Sequence, residues 1–96
     1  MKVIVKEPNR RSEYREIDDT LEAMQEIVGG YIECVFLGED TVMVCNEEGK
    51  LMGMQMNFPF RGDIIVGTIF VCGTDDEGDF TDVPITLEEW EEIINE

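Results

Sequence analysis

Two runs in this chain, "TVMVCN" and "DIIVGTIFVC", are apolar at nearly every position, and they restrict the available folds more than any other feature. A strand with one wet face alternates apolar and polar residues, so a run without alternation belongs inside a sheet covered on both faces. "YIECVFL" has the same character and is joined to "TVMVCN" by the turn residues "GED", which makes the pair a β-hairpin of central strands. "DIIVGTIFVC" reads as one strand, the strongest in the chain. Gly67 within it marks a bulge or the close approach of another element.

The covers have to come from what remains of 96 residues. "DDTLEAMQEIVGG" is the clearest helix. Asp19 and Glu22 have the spacing of a capping box, Leu21, Met24, Ile27 and Val28 form one stripe, and Gly29 and Gly30 stop the helix. "TLEEWEEIINE" repeats the logic, with Thr86 and Glu89 at the cap and Leu87, Trp90 and Ile94 on one face; Trp90 docks this helix on the sheet. At the other end, "KVIVKE" and "EYREI" read as two strands joined by the basic turn "PNRRS". Two helices without a repeating strand-helix-strand order define an α+β fold. The expectation is a single domain over residues 1–96, with a mostly antiparallel sheet of about five to six strands and the second helix at the C-terminus.

In "LMGMQMNFPF", Met52, Met54, Met56, Phe58 and Phe60 fall at every second position. An extended backbone would put all five on one side, as a soft apolar ribbon that covers the core or contacts a partner. Pro59 cannot donate to a ladder, so the segment is an edge strand or a loop over the core.

Charge is the outlying property, with seven basic residues against 23 acids and a net charge of -16. Lys2, Lys6, Arg10, Arg11 and Arg15 against Glu7 and Glu13 make residues 1–15 net +3, which leaves -19 on residues 16–96. Such a chain is repelled by nucleic acid and by anionic lipid, and partners of opposite charge are favoured. No run reaches the ~18 apolar residues of a membrane span, and no leader pattern opens the chain.

The residues offer little to a catalyst. There is no histidine, Ser12 is the only serine, and the three cysteines lie in apolar runs that disfavour a thiolate. They read as buried, reduced thiols. Neither a Cys-x-x-Cys pair nor a phosphate-binding glycine loop occurs. In "GTDDEGDFTD", placing Gly78 at the sixth position of a calcium loop puts Gly73 first and Pro84 twelfth, where acidic ligands are needed. The stretch is an acidic turn, and no metal or cofactor is expected.

Beyond its physical pattern, the chain resembles a family of small domains of unknown function from bacteria, phages and conjugative elements. The likeness rests on "LEAMQEIVGGYIECVFL", "VCNEEGKLMG" and "DIIVGTIFVCGTDDEGDF", and spans Lys2 to about Trp90. Its most specific part is the Gly-Gly-Tyr-Ile-Glu junction followed by Asn46, Glu47, Glu48 and Gly49. The resemblance implies a cytoplasmic setting and an accessory gene of a mobile element, and brings no activity with it.

The functional expectation is therefore a non-enzymatic acidic binding protein that acts on a basic host protein and in one version mimics nucleic acid. Its candidate acidic surface is Asp75, Asp76, Glu77, Asp79, Asp82, Glu88 and Glu92. One alternative is a module that sequesters a nucleotide or metabolite, with Arg10, Arg11 and Arg61 as anion contacts. Another is a structural homo-oligomer that pairs through the Met52–Phe60 ribbon. Neither direct nucleic-acid binding nor membrane association is expected.

Overall fold

The structure, a computed structural model, describes residues 1–95. Its elements are β1 (Lys2–Lys6), β2 (Glu13–Glu16), α1 (Leu21–Val28), β3 (Ile32–Phe36), β4 (Thr41–Asn46), β5 (Met56–Phe60), β6 (Asp63–Val66), β7 (Ile69–Thr74), β8 (Phe80–Thr81) and α2 (Leu87–Ile94). Five strands pair in the order β2-β1-β7-β4-β3, and β8 joins β7 to complete a six-stranded sheet; β5 and β6 form a separate hairpin. All the pairings are antiparallel. The architecture is α+β with α2 at its C-terminal end, as the pattern of elements requires.

Both faces of the sheet are covered, as the unbroken apolar runs demand. Alternation along β1, β4 and β7 sends Val3, Val5, Val42, Val44, Phe70 and Cys72 to one face, where α1 lays Met24 and Val28 against them. Ile4, Met43, Cys45, Ile69 and Val71 go to the other face, which is covered by Trp90 of α2 and by Phe58 and Phe60 of the β5–β6 hairpin. Trp90 is fully buried. Its ring meets Phe58 edge to face at 5.8 Å, and its Nε1 donates to Ser12 Oγ at 2.8 Å. The Tyr14 hydroxyl accepts from the Leu87 amide, which ties the first turn of α2 to β2.

The two caps differ from each other. Thr86 and Glu89 form the reciprocal capping box expected of α2. At α1 the cap is Thr20, not Asp19: Thr20 is extended, and its hydroxyl accepts from the Ala23 amide. The helix thus starts one residue later than expected. The third position is then Ala23, which has no carboxylate to reciprocate. Gly29 ends α1 with a left-handed φ of 81°.

Three strand expectations are corrected. "DIIVGTIFVC" is two strands, because at Gly67 the φ of 74° turns the chain out of the hairpin and into the main sheet. β3 lies at the edge of the sheet, and Cys34 and Phe36 are exposed; of the apolar runs read as central strands, only those of β4 and β7 are enclosed. The methionine stretch is not one extended ribbon. Amides of Met52, Gly53 and Met54 donate to carbonyls of Glu48, Lys50 and Gly49, which coils the chain before β5 begins. A register shift between Met56 and Phe58 then breaks the alternation.

Candidate functional site

The acidic stretch closes the β7–β8 hairpin, and its carboxylates divide by role. Asp75 Oδ1 accepts from the Glu77 and Asp79 amides at 3.0 Å each, so this side chain holds the turn. Asp82 Oδ1 accepts from the Lys2 amide, and Lys2 O accepts from Val83 N; together these fasten the chain after β8 to β1. Asp76, Glu77 and Asp79 remain outward and exposed. Glu88 and Glu92 are exposed on α2, which packs on the second face, whereas Phe80 beside the turn packs into the first. The seven acids proposed as one surface are therefore not one surface.

A different pair joins the turn. The Thr74 amide donates to Asp40 O at 2.9 Å, which holds the β3–β4 turn against the end of β7 and brings Glu39 and Asp40 beside the outward acids. Neither residue is legible from the sequence, because their proximity to the turn depends on β4 pairing with β7. Between the two turns an open cleft of about 380 Å³ is floored by Cys34, Phe36, Val42 and Phe80 and rimmed by Glu39, Asp75 and Asp76. The ion pairs found among the described residues engage Glu7, Glu13, Glu16 and Asp63. None involves a carboxylate of this acidic end.

Arg10 and Arg11 sit in the turn between β1 and β2, beyond Lys6, which pairs with the first residue of β7. The length of β7, about 17 Å at ~3.4 Å per residue, separates them from the acidic turn. That exceeds the Debye length of roughly 8–10 Å, so the two ends act as separate fields in physiological salt. Exposed Glu47 and Glu48 follow β4 at the arginine end, which keeps it mixed in sign. Arg61 is elsewhere: in the Arg61–Gly62 turn of the β5–β6 hairpin, both residues have the positive φ of a type I′ turn. Arg61 lies over the Phe60 ring and its Nη1 donates to Phe36 O. The three candidate anion contacts are not brought together.

The ribbon residues are dispersed too. Phe58 and Phe60 are buried, and Met52 and Met56 are exposed. Met54 is half-buried among three glycines: a Cβ built on Gly67 would lie 2.7 Å from Met54 Sδ, one on Gly49 3.5 Å from the same sulfur, and one on Gly29 3.4 Å from Met54 Cε. Asn46, part of the most specific stretch of the resemblance, is structural here. Its Nδ2 donates to Val28 O and its Oδ1 accepts from the Glu48 amide, so it fixes the end of α1 to the turn after β4.

Cys45 and Cys72 are buried as expected, and Cys34 is exposed. Burial, with the Glu33 charge second, pushes the Cys45 thiol up to about 11; burial, with Cys34 and Asp19 secondary, pushes Cys72 up to about 12. Cys34 is raised as well, by the same two causes as Cys45. The folded state thus holds these protons more tightly than the unfolded chain, whose thiols titrate near 9.0. The resulting stability is fully present below pH 9 and is lost as the pH rises through 11 and 12. We expect the urea midpoint to fall above pH 9, with a shallower fall in Cys72→Ala; parallel profiles for the two proteins would contradict this.

Among the described residues no three acidic or cysteine side chains are placed to hold a metal ion, and no helix is long and apolar enough to cross a membrane. What fold and surface define is a small α+β domain with an acidic, partly apolar sheet end. A family of domains of unknown function, DUF3846, matches residues 1–95, and the chain belongs to it. No curated protein and no solved structure matches the chain.

Proposed function

We propose that this domain is a non-enzymatic binding protein that engages a basic partner protein through the acidic end of its sheet. The observation that carries the reading is the joining of two turns by the Thr74–Asp40 hydrogen bond, which puts Glu39, Asp40, Asp76, Glu77 and Asp79 together without a cation among the described ion pairs. Concentrated charge of one sign raises association rates and selects partners of the other sign. The raised thiols and the absence of histidine favour contact over catalysis. In the setting implied by the resemblance, the partner is a host protein in the cytoplasm and this chain belongs to a phage or mobile element. Nucleic-acid mimicry is the finer version, in which the partner's own binding groove receives the acids.

Charge reversal at positions with no structural duty provides the test. Asp76→Lys with Glu77→Lys should weaken capture of the partner from the native host about tenfold, a loss of ~1.4 kcal/mol, and wild-type binding should fall steeply with salt. Asp75 and Asp82 are left intact because their carboxylates hold backbone amides. Capture that ignores both salt and reversal would sink the proposal.

A further inference from the structure

Edge strands expose a row of backbone donors and acceptors that will pair with another chain unless something blocks them. β3 is such an edge. Its register with β4 pairs residues whose numbers sum to a constant, from Ile32 with Asn46 to Phe36 with Val42. Leu37 N donates to Thr41 O and Glu47 N donates to Tyr31 O. In an antiparallel ladder the hydrogen-bonded pairs alternate, so the odd-numbered residues of β3 face β4 and the N–H and C=O groups of Ile32, Cys34 and Phe36 face outward. The Arg61 contact fits this phase, since the carbonyl it reaches is that of Phe36.

The side chains flanking this edge define what would fit it. Cys34 and Phe36 lie on the α1 side of the sheet and continue into the cleft with Val42 and Phe80; Phe36 is 61% exposed. Glu33 is exposed on the opposite side, and Glu39 and Asp76 rim the cleft. An added strand would therefore place every second side chain on an apolar floor rimmed by Glu39 and Asp76, and the intervening ones on the side of Glu33. A second copy of this chain is a poor occupant, because each copy carries a net charge of -16.

We propose that β3 is a strand-addition site for an extended segment of a partner protein in which apolar residues alternate with lysine or arginine. This rests on the contact reading above and deepens it: backbone pairing with Ile32, Cys34 and the Phe36 amide gives the affinity, the cleft and the acids give the selectivity. Arg61, by occupying Phe36 O, bounds the added strand at that end.

The probe is a labelled nine-residue peptide alternating lysine and valine, compared with two versions N-methylated at alternate amides in one frame or the other, with binding followed by fluorescence anisotropy. We expect one methylated frame to bind at least tenfold more weakly than the other at equal charge. Cys34→Pro, which removes an outward donor at a position where an edge strand tolerates proline, should give a similar loss with its thermal unfolding still cooperative. If that variant does not fold, the two methylated frames decide the matter on the wild-type protein. Salt-sensitive binding of the peptide that ignores both methylation frame and Cys34→Pro would overturn strand addition and leave the acidic contact reading standing. No binding of the peptide at any salt concentration would overturn both. A wild-type dimer in sedimentation that Cys34→Pro dissociates would make a second copy the occupant and overturn the basic segment.

Discussion

Replacing Trp90 with alanine should destabilise the domain by about 3–5 kcal/mol, the range found when a large aromatic is removed from a packed core. Small domains have only ~5–15 kcal/mol in total, so a large fraction of the native state's margin would go. Three contacts are lost at once: the edge-to-face contact with Phe58, the hydrogen bond to Ser12 Oγ, and the burial of the only tryptophan against the second face. Circular dichroism should show a melting midpoint lower by roughly 12–40 °C, at ~4–8 °C per kcal/mol for a domain of this size. Trp90→Phe separates the parts, since it keeps a ring but leaves buried Ser12 without its donor, at a cost of ~1–3 kcal/mol. A Trp90→Ala melt within a few degrees of wild type would show that α2 is not docked through this residue. The consequence reaches the contact surface, because Phe58 belongs to the hairpin whose turn sets Arg61 against β3.

What the sequence made legible followed from local periods. β4 and β7 were readable as enclosed strands because no polar alternation interrupts them, and α2 because Thr86 and Glu89 supply a cap that closes in the way the spacing implies. β3 was misplaced because its residues resemble those of β4 while its neighbours differ; its edge position is set by β4 pairing with β7 across about thirty residues of chain. The same long-range pairing hides the link between Glu39, Asp40 and the 75–79 turn, so two of the five acids at this end could not be found from spacing. The every-second-residue pattern of methionines and phenylalanines fits an extended ribbon, but a coil at Glu48–Gly53 and the register shift before Phe58 cost nothing that the pattern records. The glycines that make room for Met54 were visible individually. Their convergence from positions 29, 49 and 67 was not.

Gly67→Ala is the second substitution from which a large loss is expected, about 2–5 kcal/mol, and the loss has two separable sources. Gly67 has a φ of 74°, and an L-residue held there costs ~1–2 kcal/mol. An added Cβ would also lie 2.7 Å from Met54 Sδ, and overpacking of this kind costs ~1–3 kcal/mol. The backbone has little freedom to yield, because the Gly67 amide donates to Gln55 O and its carbonyl accepts from Asn57 Nδ2, which also donates to Lys6 O. These bonds hold the point at which the chain leaves the hairpin and enters the central strand of the sheet. Pairing the substitution with Met54→Ala removes the clash but not the backbone strain, so the double variant should be more stable than the sum of the two single losses implies, by ~1–2 kcal/mol in a urea-denaturation cycle. Additive losses would mean that Met54 does not fill the space above Gly67. A Gly67→Ala protein as stable as wild type would mean that the turn between β6 and β7 does not need the left-handed backbone.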